Sequence, residues 1–106
     1  MCYHYNPAKL RMLQKRYPEK YGDVEVPEYA NGFTHPTLPV ITNEEATLMQ
    51  WGLIPHWVKD EATAKKLSRM CLNARIETIE EKPAFRDTVR KNQRCLIPAS
   101  KFYEWR

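Results

Sequence analysis

The chain has 106 residues, 42% of them hydrophobic and 28% charged, which is the mix of one globular domain and excludes a disordered chain. Lys and Arg number 17 against 13 Asp and Glu, a net charge of +4, and the mean hydropathy is −0.69; no apolar run approaches the roughly 18 residues of a membrane span. Three widely spaced Cys with no C-x-x-C pair argue against a disulfide scaffold and for reduced thiols in a cytoplasmic compartment.

The first residues, Met1-Cys2-Tyr3-His4-Tyr5-Asn6-Pro7, contain no apolar signal segment, so secretion by that route is not expected. Asn6-Pro7 reads as an N-cap and a first helical position. Leu10, Leu13 and Tyr17 follow at helical spacing, which predicts a helix from about Pro7 to Arg16 that Tyr17-Pro18 stops. Residues 18–37 carry Pro18, Pro27 and Pro36 with little periodicity and read as a long wrapped loop. Leu38–Thr42 is a short strand, Asn43-Glu44 its turn and Ala46–Gly52 the returning strand of a hairpin. Asp60 to Lys66 is a polar helical turn or loop, and Met70–Arg75 reads as extended chain. Lys82-Pro83 opens a second helix with Phe85 and Val89 facing inward. Arg94–Ala99 and Phe102–Trp105 read as strands around a turn at Ser100-Lys101. The last of these ends at Arg106 without a turn or tail. Self-association through that strand is therefore expected.

Charge is unevenly spread. Residues 1–53 carry 5 basic and 6 acidic side chains, net −1, whereas residues 54–106 carry 12 and 7, net +5. A basic half attracts polyanions and speeds their encounter.

Cys2 is the first candidate for chemistry. Removal of Met1 would leave a 1,2-aminothiol whose amine and thiol are both partly reactive near neutral pH. The amine can condense with an aldehyde, and the thiol then closes a five-membered thiazolidine ring at high effective concentration. The same thiolate could instead serve acyl transfer, as in a cysteine peptidase acting on protein. Trp51-Gly52-Leu53-Ile54-Pro55-His56-Trp57 is the second feature. Its two indoles, interleaved with Lys59, Lys65, Lys66 and Arg69, suit stacking of exposed bases beside phosphate-binding cations; core packing is the competing use. Asn73, Arg75 and Glu77 alternate, so a strand would put all three on one face. Glu104 lies between aromatics, which would desolvate it and suit it to proton transfer. A zinc site built from Cys2, His4, His35, His56, Cys71 and Cys95 has no ordered ligand spacing beyond Cys2-Tyr3-His4, so no metal is expected.

Met1-Cys2, Trp51–Trp57, Asn73–Thr78 with Phe85-Arg86, and Arg94–Ala99 leading to Phe102-Tyr103-Glu104-Trp105, taken in this order, resemble the SRAP domain of the SOS-response-associated peptidase family. The resemblance implies an α+β fold around a curved, partly barrel-like antiparallel sheet with short flanking helices. It implies that residues 1–106 form the N-terminal part of a single such domain, whose later His-x-Arg-Met-Pro motif falls beyond this chain. It also implies a sensor of abasic sites in single-stranded DNA, which forms a thiazolidine crosslink through Cys2 after autocatalytic removal of Met1. Carried over, Cys2 is the nucleophile, Asn73 orients it and the sugar, and Glu104 moves the proton. Arg75, Trp51, Trp57 and Glu77 are the DNA-contact set. No cofactor, metal or membrane is implied. Family members commonly begin Cys-Gly-Arg, and here Tyr3 and His4 stand instead. The rival readings are a peptidase acting on protein and a non-catalytic nucleic-acid-binding fragment.

Overall fold

A computed structural model describes residues 2–22 and 24–104. Its elements are β1 (His4–Pro7), α1 (Leu10–Arg16), β2 (Ala30–Asn31), a 3-10 turn (Gly32–Thr34), β3 (Thr37–Thr42), β4 (Ala46–Gln50), α2 (Glu61–Met70), α3 (Pro83–Arg90), β5 (Cys95–Leu96) and β6 (Ala99–Phe102). The strands form two antiparallel sheets, β2-β1-β6 and β4-β3-β5. The expected α+β class holds, with the sheet divided in two and not closed into a barrel among the described residues.

The β3–β4 hairpin is built locally. The Thr42 hydroxyl accepts from the Glu44 and Glu45 amides at 3.2 and 3.0 Å, while the Thr42 amide donates to the Glu45 carbonyl at 2.8 Å. That Ser/Thr turn brings Ile41 opposite Ala46. Pro39 lies within β3, which has β4 along one side, and β5 pairs only Ile41 and Thr42. A missing N–H is tolerated where the second side is largely open. The wrapped loop is tied to the same strand, with the Tyr21 hydroxyl donating to the Val40 carbonyl at 2.9 Å.

Several expectations are corrected. Asn6-Pro7 does not cap a helix. Pro7 ends β1 opposite Ala99, the Asn6 carbonyl accepts from the Ser100 hydroxyl at 3.2 Å, and α1 starts only at Leu10. Ser100 and Lys101 lie inside β6 rather than in a turn. β5 and β6 are not a hairpin: β5 joins β3 and β6 joins β1. The separation falls at Pro98, whose carbonyl accepts from the Ala8 amide at 3.1 Å.

The polar segment after Asp60 is a full helix. The Asp60 carboxylate accepts from the Thr63 amide at 2.8 Å, and Glu61 pairs with Lys65 at 3.1 Å one turn on. The cap starts α2, and its Ala and Lys residues extend it to Met70. The extended segment expected from Met70 is therefore partly helical. Lys82-Pro83 does open α3, with Pro at its first turn. Phe85 and Val89 are half-buried there. The core centres on Tyr5, Ala30 and Leu38, and Cys2 and Trp51 pack against it.

Candidate functional site

β1 begins two residues after Cys2, so the N-terminus is delivered to the β2-β1-β6 sheet. Cys2 is half-buried, and its thiol donates to the His4 carbonyl at 3.0 Å. The same carbonyl accepts from the Tyr103 amide at 3.4 Å. Tyr103 is therefore held beside the Cys2 turn, and Glu104, exposed, is the next residue. Beneath them, burial, then the neighbouring Cys2 and Cys95 thiols, push the Tyr5 phenol up to about 12. A neutral phenol thus forms the floor under Cys2.

Trp51 connects this end of the sheet to the Asn73 segment. Its ring meets Tyr5 at 5.6 Å between centroids, tilted by 57°. A Cβ at Gly32 would come within 3.1 Å of the indole, a tight contact that the absence of a side chain relieves. The indole N–H donates to the Leu72 carbonyl at 2.9 Å. Leu53 N–H donates to the Cys71 carbonyl at 3.1 Å. The carbonyls just before Asn73 are thus taken by the Trp51–Leu53 segment and not by a strand ladder.

This overturns the expectation that Asn73, Arg75 and Glu77 alternate on a strand. Residues 71–75 are irregular and residues 76–81 form turns. Asn73 and Arg75 nevertheless line one groove of about 660 Å³ together with Trp57, Met70 and Phe85, and Glu77 does not. Asn73 Nδ2 is buried there without a hydrogen-bond partner among the described residues. An unsatisfied buried donor is costly. Trp57 is 45% exposed and offers a ring to this groove. His56 beside it approaches Asp87 of α3 at 3.7 Å. Both side chains are exposed, so this pair adds little stability.

Two residues outside the sequence-derived set hold Trp51 in place. His35 adopts a left-handed backbone with φ of 50°, and its Nδ1–H donates to the Trp51 carbonyl at 2.9 Å. The buried Ser68 hydroxyl lies 3.3 Å from the same nitrogen. A lone His before Pro36 and a Ser in a polar helix carry no local signal for this. The Met1 reading and the Trp105 end of the last motif fall outside the described residues.

The chain is similar to several known proteins. An abasic site processing protein of Bacillus subtilis, YoaM, is 49% identical over 65 residues, 61% of this chain and 26% of that protein. The abasic site processing protein HMCES of Rattus norvegicus is 44% identical over 57 residues, 54% of this chain and 16% of that protein. A solved protein of Bacteroides thetaiotaomicron superposes with a TM-score of 0.82 and 38% identity over 99% of this chain and 49% of its own. One from Bordetella bronchiseptica gives 0.77 and 30% over 97% and 50%. The chain thus spans about half the length of these solved proteins and about a quarter or less of the curated relatives. Residues 1–106 match the family profile SRAP, SOS response associated peptidase, so the chain belongs to that family.

Proposed function

We propose that this chain processes abasic sites in single-stranded DNA through Cys2. Exposed by loss of Met1, the Cys2 amine condenses with the aldehyde of the ring-opened sugar and releases water. The thiol then adds to the imine carbon. A C–S bond forms, the thiol proton passes to the nitrogen, and a thiazolidine results. Asn73 contributes an amide donor that orients the sugar, and Glu104 accepts and returns the proton at the amine. Arg75 and Trp57 at the groove meet the strand, with Glu77 beside it in sequence. Trp51 acts from below, since its ring is packed between Gly32 and Tyr5.

One observation carries this reading: Cys2 packs on the same core cluster as Trp51, whose indole holds the carbonyl before Asn73. The names of the relatives, abasic site processing proteins, point the same way. The test incubates the chain with an oligonucleotide bearing one abasic site and resolves adducts on a denaturing gel. An adduct that Cys2→Ala abolishes is expected. Equal adduct from Cys2→Ala would assign the reaction to lysines and overturn the proposal.

A further inference from the structure

Trp51 stands where the β3–β4 ladder runs out of backbone donors. Thr37 opposes Gln50, so the next pair in register is Pro36 with Trp51. The Trp51 amide donates to the Pro36 carbonyl at 3.0 Å. An antiparallel pair bonded in this way exchanges two hydrogen bonds. Pro36 has no N–H to return, so the Trp51 carbonyl lacks its ladder donor. The His35 ring takes that place, with Nδ1 2.9 Å from the Trp51 oxygen. A carbonyl at this distance fixes a proton on Nδ1, in the neutral and in the charged ring alike. The Ser68 oxygen of α2, 3.3 Å from the same nitrogen, can accept a share of that N–H.

The backbone bends to allow this. His35 has φ of 50° and ψ of 52°, in the left-handed region. Residues with a Cβ seldom adopt it, and a residue before proline is pushed toward extended chain instead. His35 is held there from three sides. Its amide donates to the Gly32 carbonyl at 3.0 Å, and its carbonyl accepts from Gln50 Nε2 at 3.3 Å. Its ring lies against Gly52, where a Cβ would meet Nδ1 at 2.7 Å.

The bond from His35 governs the peptide between Trp51 and Gly52. On either side of that peptide are the donors that hold the chain before Asn73. The Trp51 indole bonds the Leu72 carbonyl at 2.9 Å, and the Leu53 amide bonds the Cys71 carbonyl at 3.1 Å. Turning the Trp51 carbonyl away from His35 moves both. We infer that His35 is a positioning residue for the Cys2 reaction: its Nδ1–H supplies the donor that Pro36 lacks and, through Trp51, sets where Asn73 stands. This role rests on the abasic-site reading for the reaction it serves.

The experiment uses the whole chain and two readouts. One is the rate of adduct formation with an abasic oligonucleotide, followed across its concentration. The other is hydrogen exchange of the Trp51 indole N–H by NMR, its signal assigned by its absence from Trp51→Phe. His35→Asn tolerates the left-handed backbone and presents an amide N–H in place of Nδ1; it keeps the parental value of both. His35→Gly relieves the backbone and removes the donor. It slows the adduct at saturating oligonucleotide about tenfold, leaves the half-saturating concentration unchanged and speeds indole exchange. Pro36→Ala alone stays parental, and added to His35→Gly it returns a backbone N–H to the ladder and restores both readouts. A His35 that only stabilised the fold would lower Tm without changing the rate of chain that circular dichroism shows to be folded. A folded His35→Gly with the parental adduct rate overturns the inference, and so does a double variant that stays slow. If His35→Gly does not fold, the rate of the double variant decides alone. A parental chain without a Cys2-dependent adduct sinks the abasic-site reading. Unchanged indole exchange in His35→Gly would then remove the link from His35 to Trp51 as well.

Discussion

The indole N–H of Trp51 reaches across 21 residues to the Leu72 carbonyl, at 2.9 Å. Through that bond the aromatic segment after β4 holds the chain where it leaves α2 and turns toward Asn73. Leu72 itself is buried. Its carbonyl therefore depends on this donor.

Trp51→Phe keeps a ring against Tyr5 and removes the donor. A buried acceptor without its partner costs about 1–3 kcal/mol. Urea denaturation should show a destabilisation of that order. The rate of abasic-site adduct formation should fall as well, while labelling of the Cys2 thiol by a small alkylating reagent continues. An unchanged adduct rate would separate Trp51 from the site.

Gly52 is the next position under constraint. Its φ is +114°, and a Cβ there would lie 2.5 Å from the Ser68 hydroxyl and 2.7 Å from His35 Nδ1. Strain of about 1–3 kcal/mol from the backbone alone adds to the clash. Gly52→Ala should lower Tm more than Gly22→Ala, where φ is +50° but no atom lies within 4 Å of the new Cβ. Equal Tm values would remove the steric part of the argument.

Stability should fall at alkaline pH through Tyr5. The unfolded phenol ionises near its ordinary value of 10.0, and the folded one is pushed up to about 12 by burial and the Cys2 and Cys95 thiols. The unfolded state therefore loses its proton first. The stability tied to the neutral phenol is whole below pH 10.0 and is lost as pH rises toward about 12. Urea midpoints on either side of that window should show the decline, with a shallower slope for Tyr5→Phe. Burial also raises Cys71 and Cys95, so part of the slope should survive the substitution.

At acid pH the α2 cap gives the opposite sign. Hydrogen bonds from Thr63 hold the Asp60 carboxyl below its ordinary 3.8. Its stabilising contribution is present above that value and is lost as pH falls through the depressed one. Far-UV circular dichroism should show helix loss on acidification. Asp60→Asn should keep the acceptor and remove this pH dependence, and Asp60→Ala should lose helix at neutral pH.

Binding to single-stranded DNA should depend on salt. Residues 54–106 carry a net charge of +5, and each phosphate neutralised on a single strand contributes about −0.7 to the slope of log K against log salt. With about three phosphates engaged, affinity should fall about twentyfold between about 50 and 200 mM salt. Affinity independent of salt would reduce the basic half to a solvated surface.

Local chemistry by itself determined the parts of this protein whose partners lie close in sequence. The Thr42 turn closes the β3–β4 hairpin within four residues, Pro83 opens α3, and Tyr17-Pro18 ends α1. The order of the Cys2, Trp51, Asn73 and Glu104 segments was likewise legible as a family pattern. Only the tertiary structure decided the rest. Asn6-Pro7 has the chemistry of a helix start, but Ser100, 94 residues away, bonds the Asn6 carbonyl and Ala99 pairs with Pro7. The alternation through Asn73 looks like a strand, yet the carbonyls there go to the Trp51 indole and the Leu53 amide. His35 and Ser68 matter only because α2 folds back on Gly52. A backbone polar group must be satisfied, and the sequence around it does not say which distant donor will do so.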